Sequence, residues 1–383
     1  MSKKRIGFLL WAWQGHRLHY LKGAISTAKK NKELIVCAVV DVQAVNSSEW
    51  STVIGSTEFD THLIEGLHES GNNKKRKLLK SLSQEYDQLV IFDGERWLFA
   101  LAVTSLRRRS IRIALQLTRE PLISLFEVDG VKQSTASIAK TFFIVFNKVF
   151  AFGSLNIFFL RSPFFELGRI ARVLIKLGLC SFVTDPVLSS ANQHCVVPVK
   201  LQISMMGRLD DPRKCLQDVI YAWSDKSSEL GKYNLYLAGV CEDAEILGGV
   251  ERLSDRGFQV EMVNSYISDS KLQEVVSQSA AILCLYKTDM SSGLAAIATY
   301  SGCPIIAMSN TRLGESVRIN RLGAVIDKID NEKIQKAIEK CLQVDRSQLA
   351  NTPFIVNASI EAFACPLVEQ LTTTKLLPTT VDG

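Results

Sequence analysis

Two cations six positions apart lie between a predicted strand and a predicted helix. Arg208 and Lys214 belong to the segment GRLDDPRK, which follows a predicted strand from Val199 to Met206. A guanidinium can bind phosphate through two parallel hydrogen bonds, and an ammonium adds a point charge. We expect both side chains to reach one anionic ligand and to stabilise its negative charge. The alternative is two surface cations in a polar loop, because Asp210 and Asp211 lie between them.

A second polar group opens a predicted helix. Ser291, Ser292 and Gly293 follow Asp289 and precede an apolar run that begins at Leu294. Amide groups at a helix N-terminus form an anion site, hydroxyls add donors, and glycine lets a phosphate approach the backbone. We predict that residues 291–294 bind substrate and that the Asp289 carboxylate accepts hydrogen bonds from it. The alternatives are an ordinary N-cap and a solvated loop acid.

Glycines follow three predicted strands. Gly207 comes after the strand that ends at Met206, Gly239 lies at the exit of the strand NLYLAGV, and Gly15, with His16, comes after RIGFLLWA. In open α/β sheets, ligands bind at the carboxyl ends of strands, where glycine permits a close approach to the backbone. We therefore predict that all four residues bind substrate. Each glycine has an alternative role in a turn, and most single histidines are not catalytic.

A repeated strand–loop–helix order must position these residues. ELIVCAVVD, QLVIFDGE and IRIALQLT continue the pattern of the first strand, and strands and helices alternate again from Val199 to an amphipathic helix at 331–343. This order predicts an α/β protein with two Rossmann-like, doubly wound domains. We place the domains at 1–182 and 183–383, with the last helix, near 360–371, crossing back onto the first domain.

The composition fits a folded chain of two domains, with 383 residues, 47% of them hydrophobic and 22% charged. A net charge of +6 is too small to imply a nucleic-acid partner. Nine cysteines without a CxxC pair argue against a zinc site or a disulfide framework and favour a reducing cytoplasm. Since no DxD-like motif is convincingly placed, we expect no essential metal, and we expect no cofactor.

Basic runs and a Phe-rich segment predict peripheral contact with the inner face of the cell membrane. The runs are NNKKRK at 72–77 and Arg107–Arg109, and the segment covers 141–165. Cations near anionic lipid, together with apolar wedges, give reversible attachment. The alternative is a buried helix pair with two solvated loops, since the uncharged residues 149–160 suit a core helix. No uncharged apolar run reaches the ~18–20 residues of a spanning helix.

The stretch from Ile203 to Asp327 resembles the donor domain of retaining GT-B glycosyltransferases of family four. The resemblance rests on MGRLDDPRK after a strand, on YKTDMSSGLAAIATYSGCPIIA and on LGESV followed by LGAVID. It implies the GT-B fold, with two domains facing a central cleft. It also implies a nucleotide-diphosphate sugar whose phosphates meet Arg208 and Lys214 and whose sugar meets Asp289. The first half of the chain matches only in its general α/β layout.

One position departs from that family's pattern of two glutamates eight positions apart. Anchored on Gly302 and Pro304, the two positions hold Asp289 and Ile297, and the second normally meets the ribose. The resemblance implies transfer of a hexose, with retention, to a glycan or lipid-linked acceptor in polysaccharide or glycoconjugate biosynthesis. The loss at Ile297 supports an alternative, a catalytically silent GT-B protein that binds a nucleotide sugar or a partner glycosyltransferase.

Overall fold

The chain divides into two compact units. The first contains Met1–Arg161, Glu166–Pro186 and Ser359–Gly383, and the second contains Ser162–Phe165 and Val187–Ala358. The computed structural model describes residues 3–13, 17–55, 59–69, 71–104, 111–118, 130–150, 155–164, 167–187, 201–225, 229–289, 292–350, 352 and 358–372.

The first unit is built on a parallel sheet with the strand order β3-β2-β1-β4-β5-β6-β7. Its strands are β1 (Lys4–Leu9), β2 (Leu34–Asp41), β3 (Asp60–Ile64), β4 (Gln88–Ile91), β5 (Arg112–Leu117), β6 (Leu155–Arg161) and β7 (Ser181–Thr184). Its helices are α1 (Arg17–Lys29), α2 (Val42–Val45), α3 (Ser48–Val53), α4 (Asn72–Glu85), α5 (Leu98–Val103), α6 (Gly130–Phe150), α7 (Arg169–Lys176) and the C-terminal helix (Ile360–Thr372).

Helices cover both faces of this sheet because its strands present apolar side chains on both sides. Phe158 packs on the face that holds α1, α2, α3 and the C-terminal helix. Phe159 packs on the opposite face, with α4, α5, α6 and α7. On the first face, Tyr20 of α1 packs against Phe363 of the C-terminal helix, with ring centroids 4.8 Å apart and ring planes tilted by 35°. The C-terminal helix therefore belongs to the core of the first unit.

The second unit repeats this plan, with the strand order β10-β9-β8-β11-β12-β13 in a parallel sheet. Its strands are β8 (Gln202–Met206), β9 (Asn234–Ala238), β10 (Val260–Val263), β11 (Ala281–Cys284), β12 (Ile305–Met308) and β13 (Gly323–Ile326). Its helices are α8 (Leu216–Trp223), α9 (Ala244–Asp255), α10 (Asp269–Gln278), α11 (Gly293–Tyr300), α12 (Arg312–Ile319), α13 (Asn331–Cys341) and α14 (Arg346–Ala350). This is the 3-2-1-4-5-6 order of a Rossmann-like domain.

The Phe-rich segment is divided between a helix and a strand. The idea of a core helix over 149–160 is wrong, because residues 155–161 form β6, inside the first sheet. Phe158 and Phe159 point to opposite faces, and a run of apolar residues with this alternation suits a strand that is buried on both sides. Within the described ranges, none of the helices combines the length and the apolar character that crossing a membrane requires.

Candidate functional site

Two glycines lie side by side where β8 and β9 end. Gly207 has φ +100°, and its N–H donates to the Ala238 carbonyl at 2.9 Å. Gly239 has φ +137°, and a Cβ built on it would lie only 1.8 Å from the Gly207 carbonyl oxygen. A Cβ on Gly207 would lie 2.5 Å from Nζ of Lys214. The absence of side chains therefore allows two strand ends and a cation to meet at one edge of the sheet.

Lys214 is a partly buried cation at this edge. It ends the 3-10 turn Pro212–Lys214, and its Nζ donates to the Met206 carbonyl at 3.0 Å. Burial lowers the pKa of its ammonium group. The acids beside it are engaged elsewhere, because Asp211 bonds to Arg213. Among the described residues, no carboxylate bonds to Lys214, so its charge is available to an anion.

Arg208 differs from Lys214 in being exposed and paired with a carboxylate. Its side chain is 68% exposed, and its Nε donates to Oδ1 of Asp210 at 2.8 Å. The other oxygen of Asp210 accepts the Glu242 backbone N–H at 3.1 Å. Arg208 is thus already paired, and it must share or leave Asp210 in order to bind a phosphate.

The N-terminus of α11 is held by a pair of buried hydroxyls. Ser292 is the N-cap, and its Oγ accepts the Ala295 N–H at 3.1 Å. The Tyr286 hydroxyl, from the segment after β11, lies 2.8 Å from the same Oγ. The sequence reading missed Tyr286, which looks like an ordinary core residue at the end of an apolar run. Gly293 and Leu294 form the first two positions of α11, and Ser291 lies outside the described residues.

Asp289 connects the segments that follow β11 and β12. Its Oδ1 accepts the backbone N–H of Arg312, the first residue of α12, at 2.7 Å. This bond satisfies one of the free amide groups at the helix N-terminus. The Asp289 side chain is therefore held at the carboxyl edge of the second sheet, the same edge as Gly207.

Ile297 lies on the buried side of α11. It is only 2% exposed and belongs to an apolar cluster that includes Ile282 and Ile305. A side chain in these surroundings packs against the sheet. Its match with the family's second glutamate is therefore one of sequence position, without a polar environment around it.

The first unit contains a polar cluster at the carboxyl edge of its own sheet. Asp93, which follows β4, adopts a left-handed conformation with φ 51° and bonds to Nε of Arg17 at 2.6 Å. Its other oxygen accepts the Thr118 hydroxyl at 2.9 Å. Asp93 and Thr118 follow the strands in QLVIFDGE and IRIALQLT, and their link to Arg17 joins residues far apart in the chain. Gly15 and His16 lie outside the described residues.

In the ranges that the structure describes, no three His, Cys, Asp or Glu side chains come together as metal ligands.

No family model matches the chain, and no curated protein matches it. Solved structures do. A glycosyltransferase from Rickettsia africae is 10% identical, with a TM-score of 0.67, over 98% of this chain and 100% of that one. The protein HepE of Anabaena, in complex with UDP and glucose, is 14% identical, with a TM-score of 0.63, over 96% and 99%. Sucrose-phosphate synthase from Thermosynechococcus elongatus is 12% identical, with a TM-score of 0.62, over 97% and 98%.

The chain has the GT-B fold. The prediction of two Rossmann-like domains is thereby confirmed. In the GT-B fold of this chain, the predicted residues Gly207, Lys214, Gly239, Ser292 and Asp289 all follow strands of one parallel sheet. Parallel strands end at the same edge, which is where ligands bind in open α/β sheets.

Proposed function

We propose that this chain is a glycosyltransferase that takes a hexose from a nucleotide-diphosphate sugar. The observation that carries the proposal is Lys214, a partly buried cation without a carboxylate partner among the described residues, next to Gly207. A buried charge without a counter-ion is unfavourable, and a bound anion removes that cost. The GT-B fold supports a diphosphate as that anion, since the Anabaena protein with this fold was solved with UDP and glucose.

The reaction needs stabilisation of the leaving group. The acceptor oxygen bonds to the anomeric carbon and passes its proton to the departing diphosphate, while the bond from that carbon to the diphosphate oxygen breaks. Negative charge grows on the departing diphosphate, where Lys214 and Arg208 stabilise the transition state more than the ground state. The N-terminus of α11, with Ser292, Gly293 and Leu294, supplies amide and hydroxyl donors to the same phosphates. Ser291 is a further proposed substrate-binding residue.

The remaining roles follow the resemblance of residues 203–327 to retaining enzymes. In the proposal Asp289 accepts hydrogen bonds from the hexose, and transfer proceeds with retention onto a glycan or lipid-linked acceptor. Gly207 and Gly239 leave room for the phosphates, and Gly15 and His16 are further proposed substrate-binding residues. We place the enzyme in the cytoplasm, in polysaccharide or glycoconjugate biosynthesis. The free thiols among the described cysteines support a reducing compartment.

Removing the charge of Lys214 tests the phosphate site. We expect Lys214→Met to weaken UDP binding at least tenfold in isothermal titration calorimetry, because a charge-assisted hydrogen bond contributes roughly 1.5–3 kcal/mol. Arg208→Met should weaken binding less, since its guanidinium is already bonded to Asp210. The matched control is Lys287→Met, which removes an exposed cation paired with Asp218 at 3.1 Å. Equal UDP affinity in the Lys214→Met and control proteins would remove Lys214 from the site.

Substitution of Asp289 tests whether the protein is an active enzyme or a catalytically silent relative. We expect Asp289→Ala to reduce sugar transfer at least tenfold while changing UDP affinity little, because the lost contact is to the sugar. Asp289→Asn retains an oxygen for the Arg312 N–H and so controls for the loss of that structural bond. The measurement is product formation from a panel of UDP-sugars, beside UDP calorimetry. Binding of UDP without turnover of any donor would instead support a catalytically silent protein.

A further inference from the structure

The helices on one face of the first sheet carry a strong excess of positive charge. The helices α4, α5, α6 and α7 pack on this face through apolar residues such as Leu82, Leu101 and Leu174. Their sequences contain eleven Lys or Arg residues and one acid, Glu85. On the opposite face, α1, α2, α3 and the C-terminal helix contain three Lys or Arg residues and three acids. The net charge of the whole chain is only +6, so positive charge is concentrated on the α4–α7 side.

The same helices expose large apolar side chains. Phe142 of α6 is 60% exposed, and Val173 and Leu177, in and just after α7, are 54% and 66% exposed. On α7 these apolar residues alternate with exposed cations, while Ala171, Leu174 and Ile175 face the sheet. We call this surface the basic apolar face. Its exposed members are Lys74, Lys77, Lys80, Phe99, Val103, Ile138, Phe142, Arg169, Arg172, Val173, Lys176 and Leu177.

We propose that the basic apolar face docks the protein reversibly on an anionic lipid bilayer. Cations on this face attract anionic head groups, and the apolar side chains between them enter the boundary between head groups and acyl chains. A nucleic acid would use the cations, but it would leave Val173 and Leu177 without a matching surface. An anionic bilayer can contact both the cations and the apolar side chains. The inference concerns a surface of the first unit, and it stands independently of the proposed donor site in the second.

Vesicle flotation tests the proposal. The full chain is expected to float with vesicles of phosphatidylcholine and phosphatidylglycerol, and to float less as salt screens the charges over ~8–10 Å. The combined variant Arg169→Glu, Arg172→Glu and Lys176→Glu should lower vesicle affinity at least tenfold. The combined variant Val173→Ser and Leu177→Ser keeps every charge and should also lower it, because apolar insertion is lost.

A control with the same change in net charge lies in the second unit. Lys333, Lys336 and Lys340 are exposed on α13, and changing all three to Glu should leave flotation nearly unchanged. An equal loss in this control would overturn the proposal, because the effect would then follow net charge alone. Equal binding to pure phosphatidylcholine, or binding of duplex RNA in place of vesicles, would overturn it too. UDP calorimetry on the α7 variants should give unchanged affinity, which distinguishes this result from failure of the donor site.

Discussion

Gly239→Ala is expected to destabilise the second unit by roughly 3 kcal/mol or more, because a clash adds to backbone strain. The backbone at this position has φ +137°, which side-chain-bearing residues rarely adopt. The new methyl group would also lie 1.8 Å from the Gly207 carbonyl oxygen, between two paired strands that have little freedom to separate. Urea unfolding, monitored by hydrogen exchange of amides in the second unit, measures the loss of unfolding free energy.

Gly257→Ala isolates the contribution of the clash. Gly257 also has a positive φ, +84°, but apart from its chain neighbours no heavy atom of the described residues lies within 4 Å of a Cβ built there. This control should therefore show only backbone strain, about 1 kcal/mol. UDP binding should decline in Gly239→Ala and persist in the control, since Gly207 and Lys214 share the crowded strand end. Similar stability in the two variants would contradict the close approach of the β8 and β9 ends.

Ile297→Glu is expected to cost several kcal/mol of unfolding free energy and to gain no nucleotide affinity. The side chain is 2% exposed in an apolar cluster, so a carboxylate there loses its hydration without a partner. The matched control is Ile319→Glu on α12, where the native side chain is 62% exposed. That change should stay within about 0.5 kcal/mol of the native protein.

Melting temperature and UDP calorimetry, measured together, read out the Ile297 experiment. A lower melting temperature without tighter binding supports Ile297 as a core residue. A stable variant with tighter UDP binding would contradict this, because the carboxylate would then reach the ribose as the family's second glutamate does. The ribose contact would in that case be a lost feature of the site that a single substitution restores.

The fold class could be predicted from the sequence because it depends on local patterns. Short apolar strands alternate with amphipathic helices, and this order leads to parallel sheets with helices on both faces. The carboxyl ends of parallel strands share one edge, so Gly207, Lys214 and Gly239 could be assigned to one region without coordinates. Glycine after a strand was informative because the backbone there has positive φ at both Gly207 and Gly239.

Only the tertiary structure showed which side chains are buried and which are paired with an opposite charge. Arg208 and Lys214 look equivalent in the segment GRLDDPRK, yet Asp210 pairs with Arg208 and leaves Lys214 with only a carbonyl partner among the described residues. Which side of α11 carries Ile297 depends on how the helix packs on its sheet. The separation of α4–α7 from the other helices likewise follows from strand order, which brings together residues far apart in the chain. Burial and ion pairing arise from such long-range contacts, and a local pattern does not contain them.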